Sequence, residues 1–177
     1  MSVYPYNSDN AQTDLMAAAF NGDAEEVIRL LELPSDIDAQ DLHGITALMY
    51  AAMKGYTEVA RQLIEHKAHL ELQSSQRYTA LMYAVRRGYT ETVQILLKAG
   101  ADPDVHGDYD TFETPLTLAA RGGFFPIVRA LVAAGANTGL HGGYAQLTAE
   151  CIARHEGRHE ISEFLLYNEK HPPIKTL

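Results

Sequence analysis

Apolar residues recur along this chain in short bursts at helical spacing, and each burst stops at a glycine or a polar run. Val59, Leu63 and Ile64 make one such set, and Val93, Leu96 and Leu97 make another. Steps of three and four residues put each set on one helical face. Before each set lies a shorter, alanine-rich segment that opens with threonine and closes with glycine. Threonine is a good N-cap, and alanines let helices pack closely. Glycine ends the segment because the chain can turn left-handed there without a side chain in the way. The pattern predicts pairs of short helices. A second helix starts at Asp23, Thr57 or Thr90 as caps, or near Pro126, and the later ones close at Gly100 and Gly135.

The pairs repeat. "TALMYAAMKGYTEVARQLIEHKA" from Thr46, "TALMYAVRRGYTETVQILLKAGA" from Thr79 and "TPLTLAARGGFFPIVRALVAAGA" from Thr114 are three copies of one phrase. Weaker copies begin at Thr13 and Thr148. The threonines step by 33, 33, 35 and 34 residues, and nine residues after each stands Gly22, Gly55, Gly88, Gly123 or Gly157. One such unit cannot bury its own apolar face, but stacked neighbours form a continuous core. Polar stretches such as "DAQDLHGI" lie between units and suit an extended finger with a tight turn.

The chain resembles ankyrin-repeat proteins. That family's pattern runs roughly D-x-x-G-x-T-P-L-H-x-A-A-x-x-G-H, with a second helix ending L-L-x-x-G-A, and "IDAQDLHGITALMYAAMKGYTEVARQLIEHKA" follows it nearly throughout. The resemblance implies an all-α fold class: an ankyrin-repeat solenoid of about five helix-turn-helix units with short β-hairpin-like fingers. The array is expected over 13–167, with units starting near 13, 46, 79, 114 and 148, a polar tail at 1–12 and a second tail at 168–177. Some positions depart from the pattern. The proline of T-P-L-H survives only as Pro115, and its histidine is replaced by Met16, Met49, Met82, Thr117 and Cys151. The histidine after the glycine is Tyr56 and Tyr89 in two copies, so the ties between loops are expected to be looser or made by other groups. The fourth unit carries two extra finger residues in "DVHGDYDTFET". Glu150 stands where inner units have Leu48, Leu81 and Leu116, as expected of a cap that meets water.

The resemblance also implies where a partner binds: a concave groove lined by the fingers and by the two positions before each interhelical glycine. Those pairs are Phe20-Asn21, Met53-Lys54, Arg86-Arg87, Arg121-Gly122 and His155-Glu156. Lys54, Arg86, Arg87 and Arg121 form a basic row that suits carboxylates or phosphates on a partner. The fingers add Leu42, His43, Ile45, Tyr78, Tyr109, Phe112 and Tyr144. Aromatic residues and arginine are common interface anchors, and the fold does not need apolar side chains exposed at finger tips. Phe112 has packing under a neighbouring finger as its alternative. Tyr50 and Tyr83 take an inner helical position and are expected in the core with their hydroxyls bonded. The expected protein-binding set is therefore Leu42, His43, Ile45, Met53, Lys54, Tyr78, Arg86, Arg87, Tyr109, Phe112, Arg121, Tyr144 and His155.

Charge narrows the partner. The formal net charge is −9, which gives no general attraction to nucleic acid or to an anionic membrane. A protein partner presenting acidic groups is the expectation, with the chain itself a monomer. The single cysteine, Cys151, rules out an internal disulfide framework and suits a reducing, cytoplasmic setting. The polar N-terminus shows no secretory signal, and no apolar run is long enough to cross a bilayer.

"ARHEGRHEISE" contains His155-Glu156-Gly157-Arg158-His159, the H-E-x-x-H pattern of zinc proteases. That chemistry needs both histidines on one continuous helix with the glutamate as base. The repeat register instead puts a turn at Gly157, between two helices. A small metal-dependent hydrolase using His155, Glu156 and His159 is the competing class, and His155, His159 and His171 could form a looser metal site. Cys151 is expected to be packed on a helix and not to act as a nucleophile. No P-loop or dinucleotide fingerprint is present, and the glycines of "GLHGGYAQ" lie in a finger. The expectation is a non-enzymatic interaction module without a cofactor. An inhibitor or scaffold that blocks a partner's active site would use the same surface.

Overall fold

The computed structural model describes residues 13–34, 36–107, 112–142 and 147–170. Among them are ten helices in five antiparallel pairs: α1 (Asp14–Asn21) with α2 (Ala24–Leu31), α3 (Ala47–Lys54) with α4 (Thr57–Glu65), α5 (Ala80–Arg87) with α6 (Thr90–Lys98), α7 (Pro115–Gly122) with α8 (Phe125–Ala133), and α9 (Ala149–His155) with α10 (His159–Lys170). First helices pack on first helices and second helices on second, so the molecule is two layers of a stack. The last helix runs past the expected end of the array, to Lys170.

Each first helix starts as the threonines predict. The hydroxyls of Thr13, Thr46, Thr79, Thr114 and Thr148 accept from the backbone N–H three residues on, at 3.2–3.4 Å. In the fourth unit the cap is reciprocal, because the Thr117 hydroxyl accepts from the Thr114 N–H at 2.9 Å. Small residues on the inner side bring neighbouring first helices together: Ala19, Ala51, Ala52, Ala84, Ala119, Ala120 and Ala153 are fully buried.

The interhelical glycines are needed twice over. Gly55 has φ 71°, in the left-handed region, and a Cβ there would lie 2.7 Å from the Tyr89 ring of the next unit. Tyr56 covers Gly22, Phe124 covers Gly88 and Arg158 covers Gly123 in the same way. The residue after each glycine is therefore the lid on the previous unit's glycine.

The second helices start one residue earlier than the threonines suggested. Tyr56 and Tyr89 hold the cap positions of α4 and α6 with no side-chain hydrogen bond, and Thr57 and Thr90 are the first helical residues. The cause is a tight turn: the N–H groups of Thr57 and Thr90 donate to the carbonyls of Gly55 and Gly88. The Thr57 hydroxyl is 2.9 Å from that of buried Thr92 in the next unit, and so ties units together instead of capping. Asp23 does cap α2, accepting from Glu26 N–H at 3.0 Å.

Other groups replace the missing histidine ties. The Gln40 side chain donates to the carbonyls of Gly44 and Gln73, Gln73 donates to His106, and the Ser75 N–H donates to the His43 carbonyl. Asp38, Glu71 and Asp104 each accept from a backbone N–H of the following unit, at His69, Asp102 and Asn137. Glu150 corrects the expectation of a water-facing cap. It is 8% exposed, accepts from the Ser162 hydroxyl at 2.7 Å and lies 3.6 Å from Arg154. Burial is tolerated because α10 and α9 together supply both partners.

Candidate functional site: a groove between fingers and first helices

The fingers are built by short local hydrogen bonds. Asp41 N–H donates to the Ile45 carbonyl, Ser74 to Tyr78, and Gly107 to Glu113. The Asp41 carboxylate also accepts from the N–H groups of His43 and Ile45 and from the Tyr50 hydroxyl at 2.6 Å. Ser74 plays this part in the next unit, accepting from Tyr83 at 3.0 Å. The hydroxyls of Tyr50 and Tyr83 thus find the partners expected of them. At the finger turn Gly44 has φ 69°, whereas Arg77 (φ 59°) and Phe112 (φ 50°) hold the same left-handed conformation with side chains that disfavour it. The final finger pairs His141 with Thr148 and Gly142 with Leu147 as a two-stranded ladder, β1 (His141–Gly142) and β2 (Leu147–Thr148).

Two fingers and two first helices enclose a groove of about 550 Å³. His43, Ile45, Ser75 and Gln76 reach it from the fingers of the second and third units. Met53 comes from α3, and Tyr83, Arg86 and Arg87 come from α5. Five of the expected binding residues, His43, Ile45, Met53, Arg86 and Arg87, therefore share one space. A second space of about 290 Å³ adjoins it through Arg86 and is lined also by Glu113, Leu118, Arg121, Gly122 and Phe124.

The basic row is not four equivalent cations. Arg121 is ion-paired with Glu113, whose other oxygen accepts from the Tyr78 hydroxyl at 2.5 Å. Glu113 stands directly before Thr114, as Ile45 and Tyr78 stand before Thr46 and Thr79, and that register points inward. Lys54 rests its ammonium 4.2 Å from the centre of the Phe20 ring, and Arg86 lies 5.5 Å from that of Tyr78. Arg87 is exposed and has no ion pair or hydrogen bond among the described residues.

Burial corrects two finger residues. Ile45 is 7% exposed and Tyr78 is 5% exposed, so neither is an exposed tip: Ile45 lines the groove from below its rim, and the Tyr78 ring lies buried beside Arg86. Burial first, and the Glu113 hydrogen bond second, push the Tyr78 phenol well above its ordinary pKa. Leu42 and Phe112 do stand exposed, at 64% and 44%, but neither lines the groove. His155 is exposed at the far end of the stack, its Nδ1 3.8 Å from Glu156. Tyr109 and Tyr144 lie outside the described residues, as does His171. Ser75 and Gln76, which are not in the expected binding set, occupy the finger register of Leu42 and His43, and that register is the signal that marks them.

The H-E-x-x-H pattern is split as its repeat register predicts. His155 ends α9, Gly157 turns with φ 69°, and His159 begins α10. Its two histidines sit on different helices. Among the described residues no three His, Cys, Asp or Glu converge as a metal site. Cys151 is half-buried on α9, with an Arg154 nitrogen 3.6 Å from its sulfur. None of the described helices is long and apolar enough to cross a membrane.

A family model of three ankyrin repeats matches residues 15–107, and a single-repeat model matches 112–142. The matched stretches stop short of α9 and α10, which extend the same helix-pair stack. No curated protein matches the chain.

Proposed function

The chain belongs to the ankyrin-repeat family, whose repeats generally bind protein partners, and from that premise we propose a non-enzymatic module that docks a partner in the groove of the second and third units. The convergence of His43, Met53, Arg86 and Arg87 on one open space carries this reading. The surrounding stack is rigid through its buried alanines, so little entropy is lost when a partner orders against it. Leu42 and Phe112, exposed on their fingers, supply apolar contacts beyond the groove, and Lys54 and Arg121 continue the row of first-helix ends on which Arg86 and Arg87 stand. The protein acts in the cytoplasm as a monomer, without cofactor, nucleic acid or membrane.

Site-directed photo-crosslinking tests this. A benzophenone side chain placed at Gln76 or Met53 is expected to capture a defined partner from native cell extract. The same group at Gln94, on the second-helix layer, is expected to capture none of it. A partner captured through Gln94 and not through Gln76 or Met53 would move the docking face to the other side of the molecule.

A further inference from the structure

The groove is rich in hydrogen-bond donors and has no acidic side chain among its lining residues. The chain carries 23 acidic residues against 14 lysines and arginines, so this is a local inversion of its charge. The neighbouring acid cannot cancel it. Both oxygens of Glu113 are occupied, one by Tyr78 and one by Arg121. Arg86 and Arg87 therefore face the groove with their charges unpaired by any carboxylate among the described residues. Ser75 and Gln76 offer a hydroxyl and an amide beside them, and Met53 offers an apolar wall.

We infer that the groove takes one carboxylate side chain of a partner protein's peptide segment, held by Arg86 and Arg87, with an apolar side chain next to it against Met53. This rests on the docking face proposed above. Planar guanidinium forks match a carboxylate, and the Tyr78 ring beneath Arg86 restrains that fork before binding. Two features select a single acid over a phosphate or an acidic tract. Arg86 and Arg87 lie in the last turn of α5, where the helix end adds partial negative charge and opposes a dianion. The net charge of −9 repels a polyanion, while one acid on an otherwise neutral segment meets only the local field.

A displayed library of random twelve-residue peptides, selected on the full chain, tests the inference. Binders are confirmed at the groove by cross-linking through Gln76. The expected winners carry one Asp or Glu in fixed register with an apolar neighbour. Replacing that acid by Gln in the synthetic winner should weaken binding to the wild type at least tenfold. The same replacement should change binding to the Arg86→Gln/Arg87→Gln variant less than twofold. Both arginines are exposed, so an unchanged melting curve should show that the variant remains folded. Groove binders indifferent to the Gln replacement overturn the carboxylate inference and leave the docking face intact. So does a tenfold gain when phosphoserine replaces the acid. Winners that never cross-link through the groove overturn both.

Discussion

Tyr78 joins the fold to the groove through one hydroxyl. It is 5% exposed, donates to Glu113 and lies under Arg86. Burial and Glu113 raise its pKa, against a smaller opposing pull from Arg86 and Arg121. An unfolded tyrosine ionises near pH 10, and the folded one only above that. Its contribution to stability is therefore full below about pH 10 and declines as pH rises beyond it. Urea unfolding between pH 9 and 11.5 should show a steeper alkaline loss for the wild type than for Tyr78→Phe. The slopes should differ by up to about 1.4 kcal/mol per pH unit at the top of the range. Equal slopes would mean that Tyr78 ionises normally in the fold. The inward register of Tyr78 is not read from the sequence, where Ile45 and Tyr78 alike are expected at exposed finger tips; both stand directly before a capping threonine and are buried. The Arg121 pair is not legible there either. Its partner Glu113 lies eight positions earlier, just ahead of the Thr114 cap and outside α7, so the pair does not follow the three- and four-residue spacings of helical charge pairs.

Helix ends carried the fold's readable signal, because their demands are local. A threonine hydroxyl either reaches the third N–H or it does not, and a left-handed turn either has glycine or is strained. Both marks held in register. What a second helix uses to begin was less readable. Its start depends on a turn back to Gly55 or Gly88, and on Tyr56 or Tyr89 lying over a glycine in another unit. Two substitutions separate these contributions. Thr46→Ala removes one cap and should cost about 1 kcal/mol. Gly55→Ala should cost about 1–2 kcal/mol for the left-handed backbone alone. It should cost more with Tyr89 present, since the new Cβ would meet that ring at 2.7 Å. Making the change in a Tyr89→Ala background should therefore be milder, as measured by urea midpoints in a double-mutant cycle. If the cost is the same in both backgrounds, the ring does not act as the lid described.

A stack of this kind holds together only through neighbours. Helices α5 and α6 pack on units on both sides, whereas α1 and α2 pack on each other and, on one side, mainly on α3 and α4, and α10 packs on α9 and α8. Stability then approximates a sum of unit and interface contributions, so the ends, with one interface each, open first. Native-state hydrogen exchange should show amides of α5 and α6 opening only near the global unfolding free energy. Those of α1, α2 and α10 should open at lower values. Single core deletions sharpen the contrast. Leu96 in α6 and Leu165 in α10 are both about fully buried, at 0% and 1% exposure, and leucine-to-alanine changes in cores cost about 2–5 kcal/mol. Leu96→Ala should lower protection in every unit, because the centre links both halves. Leu165→Ala should lower it in α9 and α10 and leave α1 to α4 nearly unchanged. The groove lies between the second and third units, away from both ends. Its affinity for a partner should therefore survive Leu165→Ala at temperatures where the last helix pair has begun to open. If Leu165→Ala instead lowers protection uniformly, the molecule unfolds as a single block, and groove affinity should then fall together with the last unit.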